Sequence, residues 1–256
     1  MTLAHDRSGS GEPLVLLHGF GSFRGVWAPV LPMLEREREV IALDLPGFGE
    51  SEPDVDHPTP ERLAERIARF MDEDLGLERA HVAGFSMGGW IALELNKMGQ
   101  TITTCALCPA GFWNRWERAY CRGSLYNTRA TARLLGSRAE QLFKSAQVRR
   151  AANRQYLEHG ERLSPEEAVA TVERFADAPG FDETAHALHE GHFTGGAAVT
   201  PPATIAWGDK DKLLLPRQAE RARRAIPQAR HLWLPGCGHI PMVDDPQTTA
   251  RAILTS

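Results

Sequence analysis

Ser86 stands in the run Gly84-Phe85-Ser86-Met87-Gly88-Gly89, between an apolar segment from Ala80 to Ala83 and a helix-prone stretch from Trp90 to Met98. A serine with glycine two residues before and two after, at a strand-to-helix junction, has the spacing of a nucleophile elbow. Such a turn is so tight that side chains at the glycine positions would collide with strand and helix. It lifts the serine hydroxyl above the sheet edge, and the new helix aims its free N–H groups and positive dipole end at developing negative charge. That is the equipment of acyl transfer.

A serine hydroxyl is a poor nucleophile at neutral pH. It needs an imidazole to take its proton, and the imidazole needs a carboxylate to set its tautomer and stabilise the imidazolium. The run Leu234-Pro235-Gly236-Cys237-Gly238-His239-Ile240-Pro241 supplies one histidine among turn residues, which predicts an exposed and mobile His239. Upstream, Ala203-Thr204-Ile205-Ala206-Trp207 runs into Gly208-Asp209-Lys210-Asp211. Two candidate carboxylates, Asp209 and Asp211, thus sit at the C-terminal end of a buried strand, and the chain order is Ser, Asp, His.

Two further segments, Pro13-Leu14-Val15-Leu16-Leu17-His18-Gly19-Phe20-Gly21 and Val40-Ile41-Ala42-Leu43-Asp44-Leu45-Pro46-Gly47-Phe48-Gly49-Glu50-Ser51, complete an ordered set of motifs. Together they resemble the α/β-hydrolase superfamily over almost the whole chain. The resemblance implies an α/β class fold, the α/β-hydrolase fold, with a mostly parallel sheet, helices on both faces and a helical cap insertion. It also implies that the carboxylate is the second acid of the Gly-x-x-Asp turn, Asp211, with Asp209 as its structural neighbour. The oxyanion donors would be the N–H of Met87, directly after the nucleophile, and that of Phe20 in the loop after His18. His18 precedes that loop and reads as a structural hydrogen-bonding residue.

The implied activity is hydrolysis of a carboxylic ester, thioester or lactone through an acyl-enzyme, with no cofactor. Cofactor-free perhydrolase and haloperoxidase relatives share the Gly-Phe-Ser-Met-Gly-Gly string and stay open. So do carbon–carbon bond hydrolases, although these usually carry tryptophan after the histidine, where this chain has Ile240. Epoxide hydrolases and haloalkane dehalogenases use an aspartate nucleophile, which Ser86 excludes; proline iminopeptidases place tryptophan where Met87 stands. A ligand-binding receptor or scaffold with weak hydrolysis is the alternative from another class.

The elements that must position these residues follow from periodicity. Apolar runs each followed by an amphipathic helix are the signature of a parallel sheet covered on both faces. Strands are predicted at Thr2 to Asp6, Leu14 to His18, Val40 to Asp44, Ala80 to Gly84, Ile102 to Cys108, Ala203 to Trp207 and Arg230 to Leu234. Helices are predicted at Val26 to Leu34, Pro60 to Leu75, Met87 to Met98, Arg217 to Ile226 and Pro246 to Leu254, the second starting after a Thr59 cap with proline at its first position. The short N-terminus leaves room for about seven strands instead of the family's usual eight, the missing one lying at an edge remote from the elbow.

Between Gly111 and Thr200 the strand pattern gives way to a helical segment. Residues 1–111 and 178–256 are expected to form the core and 112–177 the cap. Aromatic residues there, with Ile240, suggest an apolar pocket formed by Trp113, Trp116, Tyr120, Phe143 and Ile240, suited to a small-molecule ester with an apolar acyl or ring group. Arg115, Arg118, Arg122, Arg129 and Arg133 would align as a basic stripe on one continuous helix, with Trp116 and Tyr120 facing the pocket. Such a stripe would suit an acidic carrier protein or a phosphate-bearing substrate, unless Gly123 breaks the helix.

Composition removes other classes. A net charge of -4 over 256 residues argues against a nucleic-acid partner. The N-terminus lacks a signal-like apolar region and no stretch approaches the ~18 apolar residues of a membrane span, so no membrane partner and a cytoplasmic location are expected. Four cysteines are too few for a disulfide framework, and the Cys105-x-x-Cys108 pair lies on an apolar strand and reads as packing. His186, His189 and His192 recur every third residue without an acid or cysteine ligand set, so no metal site is expected.

Overall fold

In the computed structural model, which describes residues 2–256, the strands are β1 His5–Gly9, β2 Glu12–Leu17, β3 Arg38–Leu43, β4 Ala80–Phe85, β5 Thr101–Leu107, β6 Ala203–Gly208 and β7 Arg230–Leu234. The helices are α1 Leu31–Leu34, α2 Pro60–Arg69, α3 Met87–Lys97, α4 Arg115–Leu135, α5 Arg138–Leu142, α6 Ala146–Ala152, α7 Pro165–Asp177, α8 Phe181–Glu190, α9 Arg217–Ala225, α10 Pro241–Asp244 and α11 Pro246–Leu254. They build a seven-stranded sheet of order β1-β3-β2-β4-β5-β6-β7. Only β1 runs antiparallel, against β3. This is the α/β-hydrolase fold.

Strands buried on both faces read as apolar runs, and β2 shows why. Val15 and Leu17 pack with Ile67 of α2 and Leu93 of α3, whereas Leu14 and Leu16 pack on the other face with Leu34 of α1 and Ile253 of α11. Two apolar layers thus hold the sheet between helices. The functional loops emerge at the C-terminal ends of its parallel strands.

Three predicted elements differ in detail. The first strand begins at His5 instead of Thr2. The stretch from Val26 to Leu34 divides into a 3₁₀ turn at Arg24–Trp27 and a short helix at Leu31–Leu34. The helix from Pro60 stays α-helical only to Arg69 and then widens into a π turn at Phe70–Asp74.

Between β5 and β6 the chain is helical, and α4 is its longest element. An Asn114 capping box starts it: the Asn114 side chain accepts from the Trp116 and Glu117 N–H groups, and Glu117 Oε2 accepts from the Asn114 N–H at 2.8 Å. Gly123 does not break the helix, which runs from Arg115 to Leu135 with the glycine on its exposed side. The face turned inward is Glu117, Cys121, Leu125, Arg129 and Ala132. Trp116 and Tyr120, one residue earlier on the wheel, point outward and are 70% and 46% exposed. Buried charges set this rotation: Glu117 pairs with Arg217 and Arg221 of α9, and Arg129 pairs with Asp182 of α8.

The Glu117 cluster ties α4 to α9 of the core. Glu117→Ala leaves both arginines able to reach water, so the loss is that of the charged hydrogen bonds and the capping box, about 2–3 kcal/mol. Glu117→Gln, which can retain the cap contact, is expected to lose less. Urea denaturation of the two variants beside the unsubstituted chain checks both the size and the order.

Candidate active site

Ser86 joins β4 to α3 at φ 57° and ψ −119°, outside the regions that non-glycine residues ordinarily occupy. The turn closes because its neighbours lack side chains. A Cβ on Gly84 would lie 2.1 Å from the Gly88 carbonyl oxygen, and one on Gly88 would lie 2.2 Å from that of Leu17. The turn is pinned by the Ser86 N–H donating to the Leu107 carbonyl at 2.9 Å and by the Ser86 carbonyl accepting from Ala110 at the same distance.

Asp211 follows β6 and is fully buried as a side chain, facing His239 from the loop after β7. His239 Nδ1 and Asp211 Oδ2 are 2.8 Å apart. The second oxygen, Oδ1, accepts from the N–H groups of Leu213 and Leu214, both at 2.8 Å. Because a carboxylate only accepts, Nδ1 must carry the proton, which leaves Nε2 with the lone pair that a general base requires. Asp209 does something else: its Oδ1 accepts from the Gly236 N–H at 2.7 Å and holds the turn that leads to His239.

His239 is buried, contrary to the exposed, mobile residue expected from its glycine- and proline-rich surroundings. Its N–H donates to the Tyr156 carbonyl at 2.8 Å, and that carbonyl also accepts from Ile240 at 3.2 Å. The ring meets Phe85 edge-on, centroids 6.2 Å apart. The loop is therefore clamped by the helical segment above it.

Asp244 completes the clamp, and nothing in the sequence pattern had singled it out. Its buried carboxylate accepts from Gly238 at 2.7 Å, His159 at 2.8 Å and Glu158 at 3.2 Å, while its carbonyl accepts from Arg162. The only local signal was an acid five residues after His239. Its partners are backbone groups, which sequence does not mark.

Phe20 and Met87, the expected oxyanion donors, lie in the loop after β2 and at the start of α3. Met87 is the first residue of α3, whose N–H has no intrahelical partner by helix geometry. Phe20 lies in the loop after β2, its ring edge-on to Phe48, Phe175 and Phe181. His18 is the structural residue its position suggests: Nδ1 donates to the Gly19 carbonyl at 2.7 Å and Nε2 accepts from the Leu45 N–H at 2.9 Å. Burial depresses its pKa, outweighing the opposing pull of Asp44.

Below the Asp211–His239 pair sits Cys108, a non-glycine residue at φ 42°. Its sulfur, an Asp211 oxygen and a His239 nitrogen all lie within 4.8 Å of one another, the one such His/Cys/acid group among the described residues. Burial first, and then the Asp211 charge, hold the thiol protonated. A protonated thiol beside an imidazole whose Nδ1 already serves a carboxylate is packing for that pair and is a poor metal site. All four cysteines are free and buried. His186 and His192 are exposed, His192 lies beyond the end of α8, and His189 is buried and stacked on Trp113 at 5.7 Å, so the three do not converge.

Ser86 and His239 both line a cavity of about 300 Å³ beneath the helices. Trp113, Phe143 and Ile240 line it, with Phe20, Leu125 and Phe175 among the other apolar walls. Trp116 and Tyr120 do not, for the rotation of α4 turns them to solvent; the Tyr120 hydroxyl donates to the Lys212 carbonyl at 2.8 Å. Among the described residues no acidic or cationic Lys or Arg side chain lines the cavity. Uncharged polar groups line it too, among them Asn127, Asn153 and Gln155, and at one polar spot the Thr128 and Tyr156 hydroxyls meet at 2.7 Å.

Residues 14–252 match the model of the alpha/beta hydrolase family, and the chain belongs to that family. It is 32% identical over 249 residues to the dihydrolipoyllysine-residue acetyltransferase component of the acetoin cleaving system of Pseudomonas putida, covering 95% of this chain and 63% of that protein. The chain thus spans less than two thirds of that relative's length. It is 26% identical over 260 residues to lipase 1 of Psychrobacter immobilis, covering 98% of this chain and 78% of the relative. Among solved structures it resembles a thermophilic esterase from Thermogutta terrifontis, with a TM-score of 0.75 and 26% identity over 99% of this chain and 92% of that one.

Two outcomes follow from the site's geometry. Since His18 is neutral in the fold, the unfolded chain takes up a proton near the ordinary ~6.5 while the folded chain does not until a lower pH. The His18 contribution to stability is complete above that value and declines as pH falls through the window below it. Thermal unfolding between pH 7 and 5 should show this slope, reduced in His18→Asn. Separately, Asp244→Ala should speed amide exchange at Gly238 and His239 by roughly tenfold or more, the loss of a charged hydrogen bond, without altering exchange in β2.

Proposed function

We propose that the protein is a serine hydrolase of the carboxylesterase type, acting through Ser86, His239 and Asp211 on ester, thioester or lactone bonds. The observation that carries this reading is the 2.8 Å bond between Asp211 and His239 Nδ1, which leaves Nε2 free as a base in the cavity that Ser86 also lines. The lipase and esterase relatives support the same class of reaction.

In this reading Ser86 Oγ attacks the carbonyl carbon while its proton passes to His239 Nε2. The carbonyl oxygen takes the negative charge and is met by the N–H groups of Met87 and Phe20, each worth about 3 kcal/mol of barrier. The tetrahedral centre then collapses, the carbon–oxygen bond to the leaving group breaks, and the departing alkoxide takes the proton from His239. Water repeats the sequence on the acyl-enzyme: its proton goes to His239, its oxygen to the carbonyl carbon, and Ser86 recovers its proton as the acid leaves. Asp211 stays ionised throughout and stabilises the transient imidazolium.

The apolar cavity points to the acyl side. A wall of Trp113, Phe143, Leu125 and Phe175 with no formal charge would bury an uncharged alkyl or ring group and would strand a charged one without a partner. Neutral short and medium-chain esters are the substrates of choice for a first assay.

A fluorophosphonate should label Ser86, with the adduct located by peptide mapping, and Ser86→Ala should abolish both labelling and p-nitrophenyl ester turnover. Ester turnover that survives Ser86→Ala overturns the reading, and a chain that neither labels nor turns over would be a binding protein. Asp211→Asn should lower kcat by about 10⁴ through loss of the His239 tautomer, whereas Asp209→Asn, which affects only a turn, should cost far less. Equal losses at the two aspartates would mean that Asp211 does not orient His239.

A further inference from the structure

The outer face of α4 carries two features in register that neither the cavity nor the core uses. The helix has 21 residues without interruption and is therefore about 31 Å long. Along its solvent side Trp116, Ala119, Gly123, Tyr126, Ala130 and Leu134 recur at steps of three and four, which places them in one strip. Trp116 is 70% and Leu134 80% exposed. Five of the seven exposed large hydrophobic side chains of the described residues fall between Trp116 and Leu142.

A basic row flanks this strip. Of the five arginines on α4, Arg129 turns inward to Asp182, and Arg118 and Arg133 reach the carbonyls of Glu190 and Ala176. Arg115 and Arg122 stay outside, stacked over Trp116 at 4.6 Å and Tyr126 at 5.8 Å. Residues 112–162 hold eleven arginines and lysines against four glutamates, a local charge of +7 in a chain whose net charge is -4. The helix is thus amphipathic twice over, with a cavity wall of Cys121, Leu125, Thr128 and Ala132 inside and an aromatic, basic face outside.

We propose that this outer face of α4 docks on a lipid surface bearing anionic headgroups. Tryptophan and leucine protruding from a convex helix find no pocket to fill, yet suit the boundary between headgroups and acyl chains, where an indole sits with its polar edge wet. The flanking arginines supply the attraction to negative headgroups, which falls off within a Debye length and so weakens with salt. An acidic protein would be met by the arginines alone and would leave Trp116 and Leu134 without a use. Asn127 and Thr131, exposed beside the strip, also line the cavity, so the docked face adjoins the space that would take an apolar ester. Docking itself does not depend on hydrolysis.

The test is cosedimentation of the full chain with phosphatidylcholine vesicles, with and without phosphatidylglycerol, at low and high salt. The expected result is binding that requires phosphatidylglycerol, weakens as salt rises, and falls at least about tenfold in the paired variant Arg115→Glu, Arg122→Glu. Trp116→Ser with Leu134→Ser should also weaken it, whereas Trp116→Phe should keep binding and lose the blue shift of tryptophan fluorescence on vesicles. Far-UV circular dichroism and turnover of a soluble p-nitrophenyl ester should be unchanged in every variant, since none of these residues lines the cavity. Absence of binding to phosphatidylglycerol vesicles overturns the proposal, as does binding that both paired variants retain. Capture of an acidic carrier protein through Arg115 and Arg122 without vesicle binding would assign the face to a protein instead.

Discussion

The close approach of three backbone segments at Ser86 is the constraint on which the rest of the site depends. Gly88 packs its α-carbon against the Leu17 carbonyl at the end of β2, Gly84 packs against Gly88, and a Cβ on Gly19 would crowd the Phe85 ring at 2.8 Å. Helix α3 can begin on the serine because Gly84 and Gly88 bring backbone against backbone. The same approach brings the loop after β2 against the serine, since a Cβ on Gly19 would lie 3.1 Å from the Ser86 Cβ. A single methyl group at Gly84 or Gly88 would have to displace a carbonyl, for which no side-chain rotation offers relief.

Features dictated by backbone geometry could be read from residue types. Glycine spacing announced the elbow and apolar runs announced the strands, because each depends on one segment and its immediate neighbours, whereas the turn after β6 offered Asp209 and Asp211 alike and only the family resemblance chose between them. The rotation of α4 could not be read in this way. The helix has aromatic residues on its outer side, and its inner side sets two buried charges, Glu117 and Arg129, among Cys121, Leu125 and Ala132, so ordinary patterning does not fix its rotation. Only their partners on α8 and α9, distant in sequence, make that rotation favourable.

His239 failed the same kind of reading for a related reason. A loop of glycine and proline suggests mobility, yet its amides are taken up by Tyr156 and Asp244 from outside the loop. Asp244 in turn escaped notice because a carboxylate satisfied by backbone N–H groups leaves no complementary residue type to find. Local composition describes what a loop can do by itself; tertiary hydrogen bonds decide what it does.

These contacts divide the site between two supports. Ser86 and Asp211 stand on strand ends of the sheet, where two apolar layers hold them. His239 stands on a loop whose N–H groups are spent on the carbonyl of Tyr156, and the hydroxyl of that same residue reaches Thr128 at the polar spot of the cavity. Anything that fills the cavity as far as Tyr156 therefore presses on the residue that positions His239. The elbow is indifferent to such pressure because its contacts are to β2, β5 and α3. Of the three groups, the imidazole is the one whose placement is shared between the sheet and the helices above it, and so the one that the shape of a bound molecule can displace.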